Sequence, residues 1–366
     1  MHYREPMSTG EAKPTGEQLV EWTERDFPHR TPGTRSAHTV GIGVSGTFRP
    51  AGVMAEVCSA PQFNSGPVPI LARFSNGSGL NTERDLHTDA RGLAVKLLPG
   101  APIPARGEDP RFDPGQLQAD MVAMTLPLFF VRDGATFEQL SEASIPVPVS
   151  KLRLRWWQRV MLDLRLQQAP APPPADVDVA IDPRKLTKFA TAHPEANSTV
   201  AALSGLINPT SYGRASYHGV HAFVMTDPRG GVRFVRYQWE PLLGVRGVTE
   251  AQKATLADNH LHVDLRRRLQ HDTIKFSLEL LVGEEGDDPT DPTTPWPVQR
   301  PRISAGILTL DHVLHDQSEL QERLSYNPTR TLSGFEPVPG DELITARGRA
   351  YEFSCGQRGG SGCPVR

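Results

Sequence analysis

The stretch ITARGRAYEF, residues 344–353, brings two reactive side chains close together. Arg347 precedes Tyr351 by four residues, a spacing that puts both side chains on one face of a helix. A cation beside a phenol favours the ionised phenolate, and a phenolate is a ligand suited to ferric iron. The alternative is an ordinary surface arginine whose stem packs over a tyrosine. The pair alone does not decide between these two interpretations.

Two other stretches carry groups that could move protons or hold an anion. His38 follows Arg35 by three residues in TRSAHTVGIGVSG, where the pattern predicts a strand with the histidine in its middle. A histidine can act as general base and acid, but a structural histidine with a satisfied hydrogen bond is the plain alternative. Arg73 and Ser75, in ARFSNGSG, share one face of another predicted strand. A buried arginine there needs a partner anion.

Seven segments of the sequence, taken in order, connect these residues to one known pattern. They resemble the landmarks of the haem-catalase superfamily from about Arg35 to Tyr351, which is most of the chain. The segments are RSAHTVGIGVSGTF, ILARFS, DARGLAVKL, DMVAMTLPLFFVRDGATF, YHGVHAFVM, DPTTPWP and GFEPVPGDELITARGRAY. Seven matches in the right order are far more specific than any one of them.

The resemblance implies a catalytic site built around haem b. In such a site Tyr351 is the axial ligand of the haem iron, and Arg347 keeps its phenolate anionic. His38 takes a proton from peroxide and returns it to the leaving oxygen, while Ser75 holds the imidazole. The resemblance also implies two arginines that neutralise the haem propionates and a phenylalanine that packs on the macrocycle, namely Arg35, Arg73 and Phe137.

Two adjacent positions depart from the family pattern. The family's pair of asparagines falls on Met124 and Thr125, so the amide that orients peroxide is replaced by a thioether or a hydroxyl. Its loss is expected to impair the consumption of a second peroxide, which makes an organic reductant the natural partner. The chain is also shorter than a full catalase, and EFSCGQ replaces the run usual after the tyrosine. We therefore expect a haem peroxidase acting on hydrogen peroxide or organic hydroperoxides, with weak catalase activity.

Three alternatives remain open at this point. One is a full catalase. Another is an isomerase of fatty-acid hydroperoxides similar to allene oxide synthase, although Ala37 stands where those members have a threonine. The third is a haem sensor with little turnover, suggested only by the dipeptide Cys363–Pro364.

A framework of strands and helices must position these residues. Strand patterns occur at 38–48, 69–79, 91–98, 274–282 and 302–310, with a hairpin around DPRGG at 219–240. Helical patterns occur at 150–168, at 248–270 and from Asp341 through Tyr351. Short connections without crossover helices favour antiparallel pairing, so the predicted fold is α+β, an antiparallel β-barrel with surrounding helices. Residues 1–30 are expected to form an N-terminal arm or a short helix outside the core, and 31–366 a single haem-binding domain.

Composition narrows the class of protein further. The 39 basic and 42 acidic residues give a net charge of -3, which argues against a nucleic-acid binder. The sequence has neither an apolar run long enough to span a membrane nor a secretory signal. Its three cysteines predict a reducing compartment and suggest no zinc site. We therefore expect a cytoplasmic protein. The resemblance to catalases, whose chains commonly associate, implies a homodimer.

Overall fold

The structure is a computed structural model. It describes residues 15–26, 33–79, 84–87, 89–144, 146–148, 179–181, 183–315, 317 and 324–359. The predicted helix at 150–168 and the dipeptide Cys363–Pro364 lie outside these residues. Among the helices in the described ranges, none is both long and apolar enough to cross a membrane.

Strands and helices alternate along the described chain. Its strands are β1 (Gly41–Pro50), β2 (Val68–Asn76), β3 (Arg91–Leu97), β4 (Ala119–Met124), β5 (Pro146–Pro148), β6 (Val179–Ile181), β7 (Tyr217–His218), β8 (Phe223–Thr226), β9 (Val232–Pro241), β10 (Ile274–Val282), β11 (Arg302–Val313) and β12 (Phe335–Pro337). Its α-helices are α1 (Gly16–Arg25), α2 (Met54–Val57), α3 (Gly134–Ser144), α4 (Pro183–Ala192), α5 (Ala196–Ser204), α6 (Glu250–Lys253), α7 (His260–His271) and α8 (Glu342–Gln357).

Eight of these strands close into an antiparallel barrel. The ring runs β10, β11, β1, β2, β3, β4, β7 and β9, and the pairing of β9 with β10 completes it. Strands β8 and β12 extend the sheet from β9, while β5 and β6 pair separately. Closure removes the open edges that a flat sheet would expose. The predicted antiparallel barrel with surrounding helices is confirmed.

Alternate side chains of the ring strands fill the barrel interior. Large members of this core include Ile42, Phe74, Leu93, Trp239 and Phe276, each at most 1% exposed. The opposite, outward face of strands β1 to β4 carries mainly small and polar residues, together with Leu71 and Val122, which pack in a second apolar cluster. Directly paired residues share a face, and they form an outer row that crosses these strands through Gly41, Ser75, Gly92 and Met124.

The hairpin predicted at 219–240 is present as β8 and β9. Asp227 begins its turn, and Oδ1 of this residue accepts hydrogen bonds from the backbone N–H groups of Arg229 and Gly231. Gly230 has a φ of 83°, a left-handed conformation that favours glycine. The DPRGG sequence therefore supplies the chemistry that this turn requires.

The single helix predicted at 248–270 is wrong, because the chain forms α6 and α7 there. Helix α6 begins at Thr249, which forms a capping box with Gln252. The Thr255 hydroxyl then donates back to the carbonyl of Gln252, and Asn259 has a non-helical backbone before α7. Short polar side chains that bond to nearby backbone compete with helix continuation.

Helix α1 lies in the segment expected to be an N-terminal arm. It begins at Thr15, which forms a capping box with Gln18. Leu19 and Trp22 are buried and pack with Ala346 of α8. The described part of this segment is therefore a short helix, one of the two forms expected, but its buried side chains join the core, which the sequence did not predict.

Candidate active site

His38 lies in the loop before β1 and not in the middle of a strand, as the sequence predicted. Its φ of 57° is left-handed, and it is the one non-glycine residue with this conformation in the described chain. The His38 N–H donates to the carbonyl of Gly77, 3.1 Å away. Arg73 Nη1 donates to the carbonyl of His38 at 2.8 Å, and Nη2 donates to that of Thr39 at 2.9 Å. These long-range contacts override the local strand pattern.

Ser75 and Gly92 fix the imidazole of His38 from the outer face of the barrel. Ser75 Oγ lies 3.0 Å from His38 Nδ1, the contact that the family resemblance implied. A Cβ atom at Gly92 would lie 2.6 Å from Ser75 Oγ and 3.0 Å from His38 Nδ1. Only glycine leaves room there for this pair. Because Nδ1 is engaged by the serine, Nε2 is the ring nitrogen that can exchange a proton with another molecule.

The charge state of His38 is set by its surroundings. Burial, followed by the positive charges of Arg73, Arg347 and Arg35, lowers the pKa of His38 to about 4. The imidazole is therefore neutral at physiological pH and can accept a proton. Arg35 also donates from Nη2 to the carbonyl of Leu324 at 2.9 Å.

Arg347 and Tyr351 lie together on α8, as their spacing predicted. This helix begins at Asp341, whose Oδ1 accepts a hydrogen bond from the N–H of Ile344. Arg347 Nη2 is 3.5 Å from the Tyr351 hydroxyl, at the outer limit of a hydrogen bond. The guanidinium is thus placed to stabilise negative charge on the phenol oxygen.

Two residues that the sequence interpretation did not assign to the site extend this pair. Arg347 Nη1 donates to His221 Nε2 at 2.8 Å, so His221 carries its proton on Nδ1 and donates it to Asp341 Oδ2 at 2.6 Å. Burial lowers the pKa of His221, and the positive charge of Arg347 lowers it further, while Asp341 opposes both effects. A neutral His221 therefore links Asp341 to Arg347 and Tyr351. The sequence indicated Asp341 as the N-cap of this helix. It did not indicate His221, which lies 120 residues from Asp341 along the chain.

Two phenylalanines lie beside α8. The Arg347 guanidinium carbon is 5.0 Å from the Phe129 ring centroid, within cation–π range. Phe137, on α3, is partly buried and packs against the cluster of Leu19, Trp22 and Ala346. Phe137 therefore lies next to the helix that carries Tyr351. Phe129 was not predicted as a site residue from the sequence.

Met124 and Thr125 occupy different environments. Met124 pairs directly with Gly92 in the outer row, beside the strand position that contacts His38. The Thr125 hydroxyl oxygen accepts a hydrogen bond from the Arg91 N–H at 3.0 Å, and the Thr125 N–H donates to the Arg91 carbonyl. Thr125 thus extends the backbone pairing of β3, while Met124 presents a thioether, which is not a hydrogen-bond donor.

Comparison with known families identifies this arrangement. The family model described as Catalase matches residues 17–362. The chain belongs to the catalase family. Among catalase relatives, a catalase-related peroxidase of Synechococcus elongatus is 26% identical over 94% of this chain and 88% of its own length. A catalase-related peroxidase of Mycolicibacterium paratuberculosis is 24% identical over 90% of each chain.

Full-length catalases match over less of their own length. Catalase-2 of Bacillus subtilis is 27% identical over 90% of this chain but only 44% of the Bacillus protein. The crystal structure of a fungal catalase superposes with a TM-score of 0.69 at 19% identity, covering 97% of this chain and 66% of the fungal one. At that identity the superposition supports the shared fold alone.

Catalase membership implies haem, and the residues present fit that group. A phenol with an adjacent guanidinium, Tyr351 with Arg347, is a donor set suited to ferric iron. The positive charge of Arg347 lowers the pKa of His38, so the neutral imidazole lies within the electrostatic reach of the guanidinium that borders Tyr351. Arg35 and Arg73 add positive charge of the kind that carboxylates of a cofactor require.

Proposed function

We propose that this protein is a haem peroxidase that reduces hydrogen peroxide or organic hydroperoxides with an external organic electron donor, accompanied by weak catalase activity. Membership of the catalase family makes the chain an oxidoreductase that acts on peroxide. The observation that carries the choice of peroxidase is the pair Met124 and Thr125, which stands where the family has two asparagines.

In this proposal the cofactor is haem b. Tyr351 would ligate its iron, and Arg347, supported by His221, would keep the phenolate anionic. Arg35 and Arg73 would neutralise the propionates, and Phe137 would pack on the macrocycle. When bound, the haem supplies the redox chemistry that cleavage of the peroxide O–O bond requires.

His38 moves the proton in the proposed reaction. Its neutral imidazole takes a proton from one peroxide oxygen and delivers it to the other, which leaves as water or an alcohol. The oxygen that remains would be reduced to water by two electrons from the organic donor, together with two protons. Ser75 holds Nδ1 and so directs Nε2 to this task. Arg73 donates to the backbone carbonyl of His38, and it therefore helps to position the imidazole.

The side chains at 124 and 125 favour an external reductant over a second peroxide. In a catalase-like site, an amide donor helps orient peroxide beside the histidine. Met124 has no N–H to offer, and the Thr125 hydroxyl oxygen is engaged with the backbone of Arg91. A second peroxide would therefore be oriented poorly, whereas an organic donor that delivers electrons does not depend on that amide.

Side-by-side assays on haem-replete protein test the proposal. We expect oxidation of a phenolic dye to be fast and oxygen release from hydrogen peroxide to be slow. Met124→Asn combined with Thr125→Asn should raise oxygen release relative to dye oxidation, because the double variant restores an amide. Oxygen release as fast as in a full catalase would overturn the assignment. Conversion of a lipid hydroperoxide to an epoxide without reductant would instead identify an isomerase.

A further inference from the structure

Three potential metal ligands meet on the outer surface of the barrel, where β11 ends. They are Asp109, His312 and His315, and one ligand atom from each lies within 4.8 Å of those of the other two. Asp109 belongs to the connection between β3 and β4, 203 residues from His312. Only the fold brings these residues together, which is why no zinc site was predicted from the sequence.

His312 is held between two carboxylates. Its Nδ1 is 2.7 Å from Asp311 Oδ1, and its Nε2 is 2.9 Å from Asp109 Oδ1. A neutral imidazole has one N–H and can therefore donate to only one of them. If Nδ1 donates to Asp311, then Nε2 presents its lone pair to Asp109 Oδ1 and to the hydroxyl of Ser45, which lies 2.9 Å from Nε2. A cation bound by Nε2 and Asp109 Oδ1 would join these two ligand atoms, and carboxylate–histidine–metal chains of this kind are common.

Each of the other two potential ligands has one polar atom that is hydrogen-bonded to the backbone. His315 Nε2 lies 2.9 Å from the carbonyl of Gly107, to which it can donate, and this leaves Nδ1 as its ligand atom. The backbone N–H of His315 donates to Asp109 Oδ2 at 3.0 Å, which leaves Oδ1 facing His312. Two ligand atoms on one tetrahedral ion with bonds of 2.0–2.1 Å lie about 3.3 Å apart. The ligand atoms of the three residues lie within 4.8 Å of one another, so side-chain rotations would have to bring them closer.

The type and exposure of the ligands indicate which ion would bind. Two imidazoles and one carboxylate suit zinc-like transition metals better than Mg²⁺ or Ca²⁺, which prefer oxygen ligands alone. The side chains of His312 and Asp109 are 11% and 19% exposed, and His315 is exposed, so solvent can reach one side of the cluster. Three protein ligands would thus leave a fourth position for water.

We propose that Asp109, His312 and His315 bind one divalent transition-metal ion of the zinc class, separate from the haem site. The ion would join the long connection between β3 and β4 to the end of β11. Binding to the folded chain would stabilise it by mass action.

Equilibrium dialysis of the haem-replete, chelator-treated protein against Zn²⁺ tests this proposal, with metal content measured by mass spectrometry. We expect one zinc ion per chain and a rise in the thermal midpoint on adding Zn²⁺. His315→Ala and Asp109→Asn should each weaken zinc binding by about 10-fold or more. His271→Ala, which removes an exposed histidine at the end of α7, should leave zinc binding unchanged.

Two results would overturn the site. One is the absence of zinc uptake by the parent protein, which would mean that His312 is simply an imidazolium between two carboxylates. The other is uptake by His315→Ala equal to that of the parent. Because His315 is exposed, its removal should not prevent folding, and circular dichroism of each variant checks this. Peroxide turnover, measured in parallel, reports on the haem site independently.

Discussion

His38 combines a left-handed backbone with an imidazole that burial and three arginines keep neutral. Both properties depend on contacts from distant strands, in particular the hydrogen bonds from Arg73 to the carbonyls of His38 and Thr39. The imidazole that we propose as the proton-transfer group is therefore positioned through its main chain as well as its ring. This arrangement has a direct consequence for the pH dependence of the reaction.

The pH profile of peroxide consumption should have its acidic limb near pH 4. Above that value His38 is unprotonated and can accept a proton, and below it the imidazolium cannot, so the rate falls as the pH decreases through about 4. Stopped-flow measurement of the second-order rate constant gives the profile. A limb near the ordinary histidine value of 6.5 would contradict this environment. His38→Asn, which tolerates the left-handed backbone, should retain haem and lose about 10²- to 10⁴-fold in rate.

Tyr351→Phe should weaken haem binding at least about tenfold or shift the Soret band, because a phenyl ring cannot ligate iron. Reconstitution with haem followed by absorption spectroscopy measures both effects. Tyr217→Phe is the matched control, since its hydroxyl donates to the carbonyl of Tyr212 within the barrel. Equal haem spectra for both variants would rule out Tyr351 as the ligand.

At the level of the strand, β3 contributes a position without a side chain to the site. Gly92 lies in the outer row beside Ser75, and its missing side chain makes room for the imidazole of His38. A strand that was chosen only for stability would favour a larger residue at this position. The site therefore depends on a glycine that makes this part of the sheet less stable.

Gly92→Ala should displace His38 and reduce peroxide turnover by about 10²-fold, the typical cost of misplacing a catalytic group by about 1 Å. Haem binding should persist, because Tyr351 lies on a different element. Gly52→Ala is the control, since a Cβ there meets no atom within 4 Å. Steady-state kinetics and the haem spectrum separate the two effects. Unchanged turnover in Gly92→Ala would show that the imidazole does not depend on this gap.

The elements differ in how well their sequences predict them. Alternation and the DPRGG turn were enough to predict β8 and β9, and the Asp341 cap was enough to locate the start of α8. The strand predicted around His38 failed because the bonds from Arg73 and to Gly77 come from elsewhere in the chain. The role of His221 could not be predicted, because it depends on two partners on a helix more than 100 residues away.

Across the whole molecule, a buried ionic network ties the barrel to the helix that carries Tyr351. Asp120, on β4, accepts hydrogen bonds from Lys96 at 2.6 Å and from Arg330 and the Asn327 N–H at 2.8 Å each. Asn327 Nδ2 then donates to the carbonyl of Gly348 on α8 at 3.2 Å. Barrel and helix therefore keep their relative position through this carboxylate.

Asp120→Asn should lower the free energy of unfolding by about 3–5 kcal/mol, because it leaves Lys96 buried, with a side chain 1% exposed, without its counter-charge. Denaturant unfolding of the haem-replete protein measures the loss. Asp258→Asn breaks an exposed pair with Arg84, and its cost should be within about 1 kcal/mol. Similar values for the two variants would mean that the network does not hold α8 to the barrel.

Asp341 divides its two carboxylate oxygens between two tasks. One starts α8 through Ile344, and the other orients His221 toward Arg347. Evolution can alter His221 or Arg347 and change the electronic environment of Tyr351 while the helix still begins in the same place. A change at 341 alters both at once. Selection for a stable fold and selection for the electronic environment of Tyr351 therefore act on the same residue, Asp341.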